Sequence, residues 1–162
     1  MFLAFILMSI SSFVEKKEEK LFKIQRSKDK NQIFYDLKLN KNGLLDKDEP
    51  INIYWIRTDE PNKKDPLSWI QQRYAYGLRY LEKTEHQAKF QFVSYSKKEL
   101  LLKKNKEGKF KVFTEYNGKW VELNRIFIQI DGGTFWFPKI SRVELHSTDP
   151  LSKKEIIEII HP

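Results

Sequence analysis

Ile33-Phe-Tyr-Asp-Leu-Lys-Leu-Asn40 alternates strictly: Ile33, Tyr35, Leu37 and Leu39 fall on one side, and Phe34, Asp36, Lys38 and Asn40 on the other. Period two is the mark of a strand with one face in a core and one toward water. The same pattern extends in both directions. Upstream, Leu21–Ser27 sets Phe22 and Ile24 on one face, with the polar segment 27–32 as the turn between the two strands. Downstream, Asn42-Gly43 is a turn signal. Ile51–Arg57 then has apolar residues on both faces, as a central strand requires. This register predicts Trp55 and Ile53 buried and Lys38 exposed.

One helix interrupts the strands. Asp65-Pro66 reads as an N-cap followed by proline at the first helical position. Leu67, Ile70 and Tyr74 form its stripe, and Gly77 a left-handed stop. Strands return at 78–83, 89–95, 100–103 and 109–116, with Asn117-Gly118 as a hairpin turn. In Trp120–Asp131, Val121 and Leu123 are odd-numbered while Ile126, Ile128 and Ile130 are even. A bulge at Asn124-Arg125 restores one face for all five. Asp131-Gly132-Gly133 reads as the next turn, followed by strands at 134–137 and 140–146. Asp149-Pro150-Leu151-Ser152 repeats Asp65-Pro66-Leu67-Ser68. The segment after it reads as helix or as the strand Glu155–Ile160, and its isoleucines favour strand. The sum is mainly β: about nine strands and one short helix, in an antiparallel barrel or a two-sheet sandwich.

The first fourteen residues are apolar or small, and Glu15-Lys-Lys-Glu-Glu-Lys20 ends them abruptly. The run is shorter than the roughly 20 apolar residues that cross a bilayer. It has the length of a signal-peptide core, with small Ser9, Ser11 and Ser12 near its end. The organisation expected is a signal peptide at 1–14, a mobile lead-in at 15–20 and a single β-rich domain at 21–162. The mature chain is then periplasmic or envelope-associated, without a transmembrane segment. Against this, no Lys or Arg precedes the run; the alternative is a buried N-terminal helix.

No cysteine is present, which removes disulfides, thiol nucleophiles and cysteine-based metal sites. The net charge of +8 raises nucleic acid as a partner. Of the 30 basic residues, however, 24 are Lys and 6 Arg, and base and phosphate recognition favours Arg. The densest group, between Lys97 and Lys111, falls on a predicted hairpin at Glu107-Gly108 and reads as a solvated surface. Three histidines and no nucleophile motif argue against a catalytic triad. Glu144 and His146 share one strand face and are weak metal candidates, with Asp131 or Asp149 as further ligands. No cofactor motif is found. Asp36, Asp131 and Glu144 are conceivable hydrolytic carboxylates, though nothing singles them out.

Aromatic residues make up 14% of the chain, more than a small core absorbs. An aromatic-lined face can stack sugars or hold an apolar ligand. The candidates for it are Tyr54, Trp69, Arg73, Tyr76 and Trp136.

Tyr35-Asp-Leu-Lys-Leu39, Pro50-Ile-Asn-Ile-Tyr-Trp-Ile56, Arg73-Tyr-Ala-Tyr-Gly77, Asp131-Gly-Gly-Thr-Phe-Trp136 and Val143-Glu-Leu-His146 together resemble the DUF4833 family of small exported bacterial proteins. The resemblance spans about residues 21–162. It implies an exported single domain of Gram-negative bacteria and brings no activity, ligand or catalytic residue. The leading expectation is a non-catalytic exported domain that binds a small ligand, glycan or protein partner through the aromatic face. The alternatives are an exported carboxylate-dependent hydrolase of glycan or lipid, and a basic nucleic-acid-binding barrel.

Overall fold

The computed structural model of the chain describes residues 19–134 and 137–162. Among them run eleven strands: β1 (Lys20–Arg26), β2 (Gln32–Leu37), β3 (Ile51–Ile56), β4 (Lys64–Pro66), β5 (Leu78–Lys83), β6 (Gln87–Phe92), β7 (Tyr95–Lys104), β8 (Phe110–Tyr116), β9 (Lys119–Gly133), β10 (Pro138–Thr148) and β11 (Glu155–Ile160). Between β4 and β5, a one-turn helix α1 (Trp69–Gln71) widens into a π-helical turn (Gln72–Tyr76).

β9 organises the sheet. Glu122 pairs with Phe113 of β8 on one edge and with Thr148 of β10 on the other. Farther along, Arg125–Ile128 pair in parallel with Lys23–Arg26 of β1 and still keep β10 opposite. β8 and β1 therefore share one edge of β9. Two wings grow from that edge, β1-β2-β3-β4 and β8-β7-β6-β5. They curl toward each other: Phe22 stacks on Tyr35 at 4.3 Å, and both meet Phe92 edge-on from the opposite wing.

The sheet is an open, curled half-barrel, which corrects the expectation of a closed barrel or a sandwich. It is mixed, since β1 and β9 run parallel. Residues 38–50 supply the physical reason for the open seam. This β2–β3 connection packs between the wings, with Leu45 fully buried and its N–H donating to the Glu85 carbonyl at 3.0 Å. Lys83 Nζ reaches back to the Asp48 carbonyl at 2.8 Å. The connection fills the space where a strand ladder would close the barrel.

The register expectations meet the structure closely. Ile33, Tyr35 and Leu37 face the core, Trp55 is buried, Ile53 is half-buried and Lys38 is exposed. The bulge in β9 falls where the phase break places it. His146 faces Arg125 and Ser147 faces Leu123, so Asn124 is the extra residue, and Val121, Leu123 and Ile126 are all buried. Glu155–Ile160 is a strand.

Three local expectations change. Ser68, not Asp65, caps the helix, in a reciprocal box with Gln71, because Asp65 is paired with Trp55 in β4. Gly77 has φ −67° and is not left-handed. The widened turn sets the Gln72 carbonyl 1.8 Å from where a Gly77 Cβ would sit, so glycine is required by close approach. Asp131-Gly132-Gly133, expected as a turn, is instead strand, since β9 continues through Gly133.

Leu123 sits at the junction of the wings and is fully buried. Leu123→Ala is expected to cost about 2–5 kcal/mol in urea denaturation. Deleting Asn124 would turn Val121 and Leu123 away from the core, and the expected result is loss of cooperative unfolding. A cooperative transition near the parent midpoint would contradict the assigned bulge.

Candidate functional site

β8 leaves β9 after Glu122, and the later half of β9 lies between β1 and β10. Cross-strand register lays two rows of side chains there. One runs Ile24, Ile126, Leu145, Glu158; the other runs Arg26, Ile128, Val143, Ile160. Strands about 4.8 Å apart make each four-strand row roughly 14 Å across. Ile24, Ile126 and Leu145 of the first row are buried, the second row is half-buried, and above this largely aliphatic floor lies a cleft of about 1200 Å3. Its walls include Trp55, Tyr74, Tyr76, Phe92 and Tyr95, and its rim includes Lys28, Asp29, Arg57 and Asp59.

The far wall is the helical segment, and four side chains hold it down. Tyr35 OH donates to the Tyr76 carbonyl at 2.7 Å, and Ser94 Oγ to the Ala75 carbonyl at 2.7 Å. Trp55 Nε1 donates to Gln71 Oε1 at 3.1 Å, and Arg26 Nη1 to the Tyr76 hydroxyl at 2.8 Å. Burial pushes the Tyr76 phenol above its usual range, although the Arg26 charge opposes this. The phenol therefore stays protonated. The Arg26 guanidinium lies 4.8 Å from the Trp55 ring centroid and 5.9 Å from that of Tyr76, and its Nη2 is bound by Asp29. Its Nε is buried without a hydrogen-bond partner among the described residues.

The sequence-predicted residues scatter around this cleft. Tyr76 lines it. Trp69 is 66% exposed on the outside of the helical turn, edge-on to Tyr74 at 6.4 Å. Arg73 is exposed beside Tyr74. Tyr54 is buried on the convex face of its wing, where its hydroxyl donates to Asp36 Oδ2 at 2.6 Å. Trp136 lies outside the described residues. Arg26, Trp55 and the isoleucine floor were not singled out from the sequence. Their signal was the pairing of β1 with β9, a parallel contact about 100 residues apart that no local period encodes.

Glu144 and His146 do come together on the outer face of β10, with Nε2 3.0 Å from Glu144 Oε2. Guanidinium groups occupy them: Arg125 Nη2 is 3.0 Å from the His146 ring nitrogens, and Arg142 Nε donates to Glu144 at 2.7 Å. The Arg142 hydrogen bond is the main reason the Glu144 carboxyl sits below its usual value. Cations in those positions compete with a metal for the same lone pairs. Among the described residues, no group of three or more metal-ligating side chains has the geometry of a site. Asp36, Asp131 and Glu144 do not line the cleft.

A family model, Domain of unknown function (DUF4833), matches residues 22–159. No curated protein and no solved structure matches the chain. The match covers most of the chain, which therefore belongs to the DUF4833 family.

Desolvation raises the Asp36 carboxyl above its ordinary 3.8, outweighing the Tyr54 hydrogen bond. The folded state thus holds this proton more tightly than the unfolded chain. The stability it contributes is full below the unfolded value and is lost as pH rises through the folded one. Asp36→Asn keeps an acceptor for Tyr54 and carries no charge. Its urea midpoint relative to the parent should be more favourable at about pH 7 than at about pH 3.5. The reverse order would contradict the raised value.

Proposed function

We propose that this DUF4833 domain is a non-catalytic binding module of the exported compartment, and that its cleft holds a small apolar ligand. The observation that carries the reading is the cleft itself: a concave, aliphatic floor faced by aromatic walls, with a few polar groups at its margins. Binding sites have this composition because apolar area supplies affinity and sparse polar groups fix orientation. Two cleft acids are accounted for otherwise or peripheral: Asp29 is held by Arg26, and Asp59 is exposed on the rim. The lining is otherwise dominated by aliphatic and aromatic side chains, which favours binding over glycoside hydrolysis.

The apolar run at residues 1–14, broken off by charges at 15–20, supports export. Among the described residues no helix is long and apolar enough to cross a membrane.

The binding reading is tested with N-phenyl-1-naphthylamine, an uncharged dye whose emission rises in apolar sites. Saturable binding that quenches Trp55 is expected. Val143→Trp, which fills the floor, should weaken it by about tenfold or more. A circular dichroism melt checks that the variant is folded, and quenching in the parent chain stands as a second reading. Absence of dye binding, or equal affinity in a folded Val143→Trp variant, would contradict it. Export predicts a mature N-terminus beyond residue 9 on protein recovered from the periplasm; Met1 retained on cytoplasmic protein would contradict that part.

A further inference from the structure

We infer that β11 is a docking edge for a second copy of this chain, which pairs with it antiparallel about a twofold axis at Ile157. Three observations converge on it.

The first is that this edge is unguarded. Among the described residues the sheet ends in three strands, β4, β5 and β11. β4 is three residues long and ends in Pro66, and β5 is bent by a bulge between Tyr80 and Glu82. Short length, proline and bulges are devices that keep sheet edges from pairing. β11 has none of them. Its six residues keep an unbroken register with β10, and four of them are isoleucine. Ile157 and Ile159 lie 46% and 54% exposed.

The second is the direction of its backbone groups. Asp149 N–H donates to the Lys154 carbonyl at 2.9 Å where the β10–β11 ladder begins. Alternation along an antiparallel strand then turns Ile156, Glu158 and Ile160 toward β10, and Glu155, Ile157 and Ile159 away from it. Three N–H and three C=O groups therefore face outward beside exposed isoleucine side chains. Lys98 Nζ clasps both Glu158 oxygens at 2.7 and 2.8 Å, and His161 Nδ1 lies 3.0 Å from the Ser141 carbonyl. An edge fixed in this way gives up little further freedom on pairing.

The third is self-complementarity. Outward residues of one copy bond outward residues of the other. With Ile157 opposite Ile157, all three are used: Glu155 faces Ile159 in both halves, and Ile156 faces Glu158. No carboxylate then opposes another, and Lys154 stands diagonal to Glu158 of the second copy, within reach of a long side chain. Sliding the register one way sets Glu158 directly against Glu158, a destabilising like-charge pair. Sliding it the other way sets Ile159 against Lys153, whose φ of +59° takes it out of the strand. The charges thus select one register, and an isologous contact of this kind closes as a dimer.

The test is sedimentation of the full chain over a wide range of concentration. So short a pairing buries less than the roughly 1,200 Å2 of stable complexes, so a reversible dimer in the micromolar to millimolar range is expected. Ile157→Pro removes an outward N–H and leaves the ladder to β10 intact. Ile157→Lys sets two ammonium groups opposite each other across the axis. Each should weaken the dimer by about tenfold or more, with a circular dichroism melt to show that the variant is folded; if the proline variant does not fold, the lysine variant decides. The chain has no cysteine, so Ile156→Cys and Glu158→Cys each supply a lone thiol. A mixture of those two chains should form a mixed disulfide, and neither should link to itself. A chain that stays monomeric at millimolar concentration, or a dimer unchanged by a folded Ile157 variant, would overturn the docking edge. Glu158→Cys chains that link to themselves, or no mixed disulfide, would overturn the register.

Discussion

One edge of one strand is divided between two partners, and the rest of the molecule follows from that division. β9 gives its first residues to β8 and its later residues to β1, while β10 follows the opposite edge. A strand has only one row of hydrogen-bonding groups on each side, so β8 and β1 must separate where they would otherwise collide. Their wings diverge from that point and curl back over a shared core of Phe22, Tyr35, Phe90 and Leu102. The Asn124 bulge lies at the handover between the two partners. It keeps Leu123 and Ile126 on the same side and adds local twist where the edge changes hands.

The same division leaves apolar surface over. Beyond Glu122 the concave face of β9 and β10 meets a short helical segment rather than a complete wing. That segment is too short to be stable alone. Tyr35, Trp55, Ser94 and Arg26 fasten it by hydrogen bonds from three strands and the β6–β7 turn. The result is a wall that stands away from the floor instead of collapsing onto it. A packed interior closes such space unless something rigid keeps it open. Here the π-helical widening, admitted by Gly77, and the cluster of Arg26 with Trp55 and Tyr76, whose rings meet edge-on, do so.

How much of this could be read in one dimension depends on the range of each interaction. Alternation in Ile33–Asn40 and the phase break at Asn124 are local, and both gave the core-facing residues correctly, although β2 ends at Leu37 and Asp36 on its other face is buried. The Asp65-Pro66 cap was misplaced because the pairing of Asp65 with Trp55 draws that segment into the sheet. Closure of the barrel failed as an expectation for a similar reason. The buried role of Leu45 depends on Glu85, forty residues away. For the site, aromatic abundance pointed to a lined face and Tyr76 is on it, but Tyr54 turned to the opposite side to meet Asp36. Arginine 26 and the isoleucine floor carry no motif. Their meaning arises only when β1 lies parallel to β9.

The central claim is that the half-buried apolar face under the cleft is an occupied surface in function. Isoleucine δ1-methyl NMR spectra of the labelled chain, recorded with and without N-phenyl-1-naphthylamine, test it directly. The account predicts the largest shifts for the half-buried Ile128 and Ile160 on the floor, with Ile33 and Ile51 of the closed core unmoved. Shifts confined to Ile157 and Ile159 on the outer face of β11, or no shifts at saturating ligand, would contradict it.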